Sequence, residues 1–302
     1  MMTMNALITS RDPKGQQATS LFEAAYNKAK LDGLRAQLLN EKGGELHAGI
    51  IKLINELTMS NQYASEETKS NYTYPSEYKG PMPISKQIGM LAKIFGRSLG
   101  YTSEFVEKVL PTLTLPEGAE GWFAIPSVDA LAARFFPEVT DPAEKYCRAV
   151  MLIHEKLGKA RMFQNYREGQ IDKQYLRMHA RTAHALAIIQ EQQKGDILII
   201  AAQLGMRHRG CSTRRAREVF VANEYGLGSL MGCSIALTHP ERFVQFEELD
   251  MDLPGDEFSP GGGGRFDGAP FLYFDDDGLG FYTDGCGSAY GGCGSASGFL
   301  PQ

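Results

Sequence analysis

An α+β fold is predicted for this chain from three observations. Helical apolar spacing dominates the first two thirds, a short run of branched apolar residues (ILII, 197–200) follows Gly195, and two aromatic runs flank an Asp/Gly turn at 270–283. Together they give a helix-rich N-terminal two thirds followed by a small mixed α/β unit from about 195, with a C-terminal β-hairpin and a Gly-rich tail. With 302 residues, 43% hydrophobic and 22% charged, the chain can bury a substantial core, so disorder is excluded as its global state.

Taken in order, Ser20 to Glu23 (SLFE) is a capping box that opens a helix with Phe22, Ala25, Ala29, Leu34, Leu38 and Leu39 along one stripe. Gly43-Gly44 interrupt it before a second helical segment near 47–57. Residues 61–83 lose periodicity and gain Tyr, Ser and Pro, the composition of a linker. Ile88, Leu91 and Phe95 then fall at helical spacing within 85–98. Residues 111–126 read as a Pro- and Gly-punctuated connection in which Trp122 serves as a core anchor. Ser127 to Phe136 is a short helix stopped by Pro137. Asp141-Pro-Ala-Glu144 combines an N-cap, a proline at the first helical position and an early acid, so a helix should run to about Gly158.

A further helix is expected over 171–194, ended by Gly195, and a buried strand over 196–200. Helices over 213–225 and 229–238 follow, then a strand at 243–251 and the hairpin PFLYF-DDDG-LGFYT, with Asp275 to Asp277 at its tip. The sequence thus divides into a helical N-terminal region with linker (1–83), a main α+β domain (84–284) and a Gly/Ser-rich tail (285–302). In that tail GCGSA occurs twice, seven residues apart, which reads as a loosely ordered segment unnecessary for folding.

Five cysteines without a secretion signal do not make a disulfide framework, and neither a zinc-finger nor an HExxH spacing is present. The N-terminus has no basic segment followed by an apolar run, so a cytoplasmic location is expected. No apolar stretch is long enough for a membrane span. The formal net charge of -5 is unevenly placed: residues 247–302 hold eleven acids and one base, Arg265, leaving the rest of the chain net basic.

That asymmetry frames the most distinctive stretch, GMRHRGCSTRRARE (205–218), with arginines at 207, 209, 214, 215 and 217. A strand entering a Gly-bounded turn and leaving through Ser212-Thr213 into a helix gathers backbone N–H groups, hydroxyls and the positive end of a helix dipole. Guanidinium forks match phosphate oxygens, so Arg207, His208, Arg209, Ser212, Thr213, Arg214 and Arg217 form the candidate anion site. The alternative pairs these arginines with acids of the chain. A P-loop and the Cys-x5-Arg phosphatase cradle are absent. Cys211, near arginine and a helix N-terminus, is a candidate low-pKa thiol.

Lys173, Arg177, Arg181 and His184 fall on one side of the expected 171–194 helix and could extend a phosphate track. In LDMDLPGDEF (249–258), Asp250 and Asp252 share a strand face and Asp256 and Glu257 follow the turn, a set that could hold Mg²⁺ for phosphoryl chemistry with His208 or His239 as base. The leading expectation is a cytoplasmic protein that binds phosphate or a polyanion, nucleic acid among the candidates. A metal-dependent phosphodiesterase or related phosphoryl enzyme is the first alternative, and a structural or assembly protein whose arginine and acidic segments pair between subunits is the second.

Overall fold

The computed structural model describes residues 9–58, 61–96, 99–100, 104–275 and 278–301. The chain divides into two compact units, 1–58 and 59–302. The first is helical: α1 (Pro13–Lys28), α2 (Gly33–Glu41) and α3 (Gly43–Thr58). Its first helix starts earlier than the capping box at Ser20 predicts. Asp12 precedes Pro13 at the first helical position and is held by the N–H and hydroxyl of Thr9 at 2.7 and 2.9 Å, while the Ser20 hydroxyl donates to the Gln16 carbonyl inside the helix. Lys30 (φ +48°) turns the chain out of α1, and the Asp32 carboxylate accepts the Arg35 N–H to begin α2.

In the second unit, residues 61–83 are docked. Thr68 N–H donates to the Gly210 carbonyl at 2.8 Å, and Leu249 N–H to the Thr73 carbonyl at 3.0 Å. Helix α4 (Ile84–Phe95) buries Ile88, Leu91 and Phe95, as their spacing requires. The stretch read as a connection contains strand β1 (Gly121–Pro126), in which Phe123, Ala124 and Ile125 are buried. Ser127 caps α5 (Val128–Phe135), and Asp141 caps α6 (Pro142–Ala160) by accepting the Glu144 N–H at 2.8 Å.

Then come β2 (Phe163–Asn165), β3 (Leu176–Met178), α7 (Ala180–Gln193) and β4 (Ile197–Gln203). The helix expected from 171 therefore begins only at Ala180, because His179 is its N-cap and Leu176–Met178 is drawn into a strand. Next are α8 (Thr213–Val219), shorter than expected, β5 (Glu224–Gly226), α9 (Ser229–Thr238), β6 (Asp250–Asp252), β7 (Asp256–Phe258) and the hairpin β8 (Gly268–Asp275) and β9 (Gly278–Gly285). The expected strand at 243–251 shrinks to β6, and Asp276 and Asp277 of the expected hairpin tip lie outside the described residues. Two short strands, β10 (Cys293–Ser295) and β11 (Ser297–Phe299), close the chain.

These elements make an α+β architecture. One antiparallel sheet has the order β1-β4-β11-β5, and all seven residues of β4 are buried. In the second sheet β6 lies between β10 and β8, β8 pairs along its length with β9, and β7 and β2 lead outward from β8 and β9. Helix α9, buried at every position, packs on β1 and β8 and against α6, so it joins both sheets through one core. No described helix is long and apolar enough to cross a membrane.

The tail corrects the expectation of loose order. β11 is an interior strand, paired with β4 (Gly298↔Ala202) and β5 (Gly298↔Tyr225), and Ala296 and Phe299 are fully buried. Its glycines are there for close approach. A Cβ at Gly294 would lie 2.4 Å from the Gly205 carbonyl oxygen, and one at Gly298 would lie 2.5 Å from the Tyr225 ring.

Candidate functional site

Gly205 (φ +127°) and Gly210 (φ +77°) turn the chain at both ends of the arginine-rich loop, as conformations that L side chains rarely adopt require. Ser212 caps the seven-residue α8 by accepting the Arg215 N–H at 3.1 Å. The groups gathered there are already occupied. The Ser212 hydroxyl donates to Glu66 at 2.7 Å, while the Thr213 hydroxyl and the Arg214 N–H both donate to the Cys286 carbonyl, at 3.1 and 3.0 Å. Arg214 grips Glu66 with two Nε contacts at 2.9 and 2.7 Å and a third through Nη2. The oxyanion in this arrangement is thus the chain's own Glu66 carboxylate, which the Arg214 hydrogen bonds hold below the usual carboxylate range against the cost of burial.

The remaining cations of the segment also meet internal partners. Arg207 Nε lies 3.3 Å from Glu224, and His208 Nε2 lies 2.7 Å from the same carboxylate. Arg209 donates to the Tyr72 carbonyl, and Arg215 pairs with Glu67 and Glu218. Arg217 donates to the Pro254 and Asp256 carbonyls at 2.8 and 2.6 Å. Cys211 departs from expectation: burial and the nearby Glu67 push its thiol up rather than down.

The basic row dissolves because its helix starts late. Lys173 sits in the preceding turn 3.9 Å from Asp141, and Arg177 lies on β3, 2.7 Å from Glu257. Only Arg181 and His184 belong to α7, and Arg181 donates to the carbonyls of Phe220, Val221 and Ala222 beyond the end of α8.

The four acids of 249–258 also separate. Asp250 and Asp252 do share one face of β6. Asp256, fully buried on β7, instead accepts from the Tyr146 hydroxyl and from the Ser229 N–H at the start of α9, each at 2.7 Å. Glu257 is taken by Arg177. Among the described residues no group of three or more His, Cys, Asp or Glu side chains is arranged to hold a metal ion. Burial pushes His239 down to about 4, and its Nε2 accepts the Met82 N–H.

Burial acts in the opposite direction on the aspartates, raising Asp256 to about 6, Asp250 to about 7 and Asp252 to about 8. Each binds its proton more tightly folded than unfolded. The stability they contribute is therefore complete below the ordinary aspartate range and lost as pH rises through about 6 to 8. The depressed carboxyls Glu66 and Glu224 titrate below this window. Calorimetric scans should show the melting temperature rising as pH falls from about 8.5 to about 6.5, above the range in which His154, His179 and His239, which burial pushes down to about 3, about 4 and about 4, oppose it; a flat profile over that range would mean that these carboxyls are not desolvated.

Asp250 and Asp252 border a surface that sequence reasoning missed. Strand register places Asp252 opposite Phe271 and Phe271 opposite Tyr282, in one row across the outer side of the second sheet. Phe271 and Tyr273 are 5.6 Å apart, Phe271 and Tyr282 5.9 Å, and Tyr166 stands 6.2 Å from Tyr273 and 5.9 Å from Tyr282. Tyr166 and Tyr282 are 45% and 38% exposed, large values for rings in mutual contact. Gly280 makes room for this arrangement, since a Cβ there would lie 2.4 Å from the Tyr273 ring. The signal was present in FLYF and GFYT: Phe271, Tyr273 and Asp275, like Tyr282 and Asp284, sit two apart and so share a strand face. Comparison with known protein families, curated proteins and solved structures finds no match to this chain.

Proposed function

We propose that this chain is a structural or assembly protein whose N-terminal helices join it to a second copy of itself. The observation that carries the reading is that α1 and α2 have no buried residue, while Leu21, Tyr26, Leu34 and Leu38 are 69%, 51%, 74% and 49% exposed. Helices of this length are marginal alone and owe their stability to packing of an apolar face. Such a face requires a covering surface.

An identical helix supplies the matching pattern. In α3, Leu46, Ile50, Leu53 and Leu57 recur at spacings of four, three and four, the seam of a coiled coil. Residues 1–58 carry seven basic and six acidic side chains, so they lack the positive field that draws amphipathic helices to anionic lipid. Engagement of the arginine segment with Glu66, Glu67 and Glu224 supports a scaffold role for it over an anion-binding one.

The mass of the full chain in solution tests this. Light scattering behind size exclusion is expected to give a dimer or larger assembly, and Leu53→Asp combined with Leu57→Asp to reduce it to the monomer with the second unit's melt unchanged. A wild-type monomer at micromolar concentration would overturn the proposal, whether or not that monomer floats with lipid vesicles.

A further inference from the structure

The outer face of β8 and β9 is a second surface, independent of the N-terminal helices. It combines two features. The first is the contiguous platform of Tyr166, Phe271, Tyr273 and Tyr282, partly open to solvent on a sheet whose other face packs on α9. The second is charge: Asp275 follows Tyr273 on the same face of β8, and the exposed Asp284 follows Tyr282 on the same face of β9. These residues belong to a segment with eleven acids and a single base.

From this geometry we infer that the face docks an arginine-bearing peptide segment of a partner protein, with guanidinium groups lying on the tyrosine rings and paired with the flanking aspartates. A ring face attracts a cation through its quadrupole, and a guanidinium stacks on it while its edge N–H groups reach carboxylates. The chain itself contains an instance of the contact: Arg167 lies over the Tyr282 ring, 4.3 Å from its centroid, and donates through Nε to Thr283 at 2.7 Å. Acidic surroundings favour a cationic peptide over a neutral ligand, because a sugar stacked on the same rings gains nothing from the charge.

The direct measurement is titration of the full chain with a hexa-arginine peptide by calorimetry at low and physiological salt. Cellohexaose serves as the neutral probe and hexaglutamate as the acidic one. Hexa-arginine is expected to bind, more weakly as salt rises. Tyr166→Ala and Tyr282→Ala preserve net charge and should each weaken it about two- to fivefold, the effect of one exposed cation–π contact. Tyr166→Ala should melt like the wild type, whereas Tyr282→Ala, which also removes the ring beneath Arg167, should melt slightly lower, and its binding is compared at a temperature below its melt. Gly280→Val, which displaces the Tyr273 ring, should weaken binding as well. Absence of hexa-arginine binding at low salt would overturn the inference. So would binding that both ring variants leave unchanged, which would be attraction to net charge alone, or binding of cellohexaose in its place.

Discussion

Deletion of residues 285–302 is expected to abolish cooperative folding of the second unit. The segment supplies β11, which lies between β4 and β5, so its removal strips hydrogen-bond partners from one edge of each. Buried backbone groups left this way cost free energy comparable to a lost hydrogen bond each. The deletion also removes Phe299, fully buried, and the Cys286 carbonyl that receives Thr213 and Arg214. A domain's net stability is only about 5–15 kcal/mol, whereas Phe299→Ala alone should cost about 3–5 kcal/mol. The deletion should therefore give insoluble or molten protein, and Phe299→Ala a folded protein with a clearly lower melting temperature. A truncated chain that melts like the full one would show that these strand pairings contribute nothing.

Helix starts were legible because their chemistry is local: Ser127 and Asp141 announce α5 and α6 within four residues, and the apolar run 229–238 gives α9 its observed limits. The tail was illegible because glycine content signals flexibility in an isolated chain but close packing in a folded one. Gly294 against Gly205 and Gly298 beneath Tyr225 are contacts between distant segments. Strands of three residues, such as β3 and β10, are too short to show a period.

For the candidate site, the sequence conveyed a chemistry without its partner. Arginines, hydroxyls and a helix start at 207–217 do hold a carboxylate, but Glu66 lies 148 residues from Arg214, in a stretch with no periodicity of its own. The aromatic platform failed to emerge for a different reason. The sequence of the hairpin shows which residues alternate along each strand, but which strand faces join in one row, and which row faces α9, follows from the cross-strand register.

Replacing Glu224 by alanine is expected to be the most damaging single change in the arginine segment's surroundings. The carboxylate is fully buried and serves four partners: His208 Nε2 at 2.7 Å, the Ser297 hydroxyl at 2.6 Å, the Val221 N–H at 3.2 Å and Arg207 Nε at 3.3 Å. It therefore ties the loop after β4 to β5 and to the terminal strand β11. Alanine would leave those donors unpaired, with an expected cost of about 3–5 kcal/mol. For a unit of this size that corresponds to a fall of about 6–20 °C in melting temperature. Glu224→Gln, which retains an acceptor oxygen, should lose less. The pH dependence supplies an independent check. Burial pushes the Glu224 carboxyl up, but the His208 and Ser297 hydrogen bonds and the Arg207 charge outweigh it, so its titration lies below the usual carboxylate range. A depressed carboxyl contributes stability that is present above its unfolded value and lost as pH falls through its folded one. The gap in melting temperature between wild type and Glu224→Ala should thus be full at neutral pH and narrow as pH falls below the ordinary carboxylate range. A gap under about 2 °C at neutral pH, well short of the predicted fall, would mean that the arginine loop and the terminal strand are held without this carboxylate.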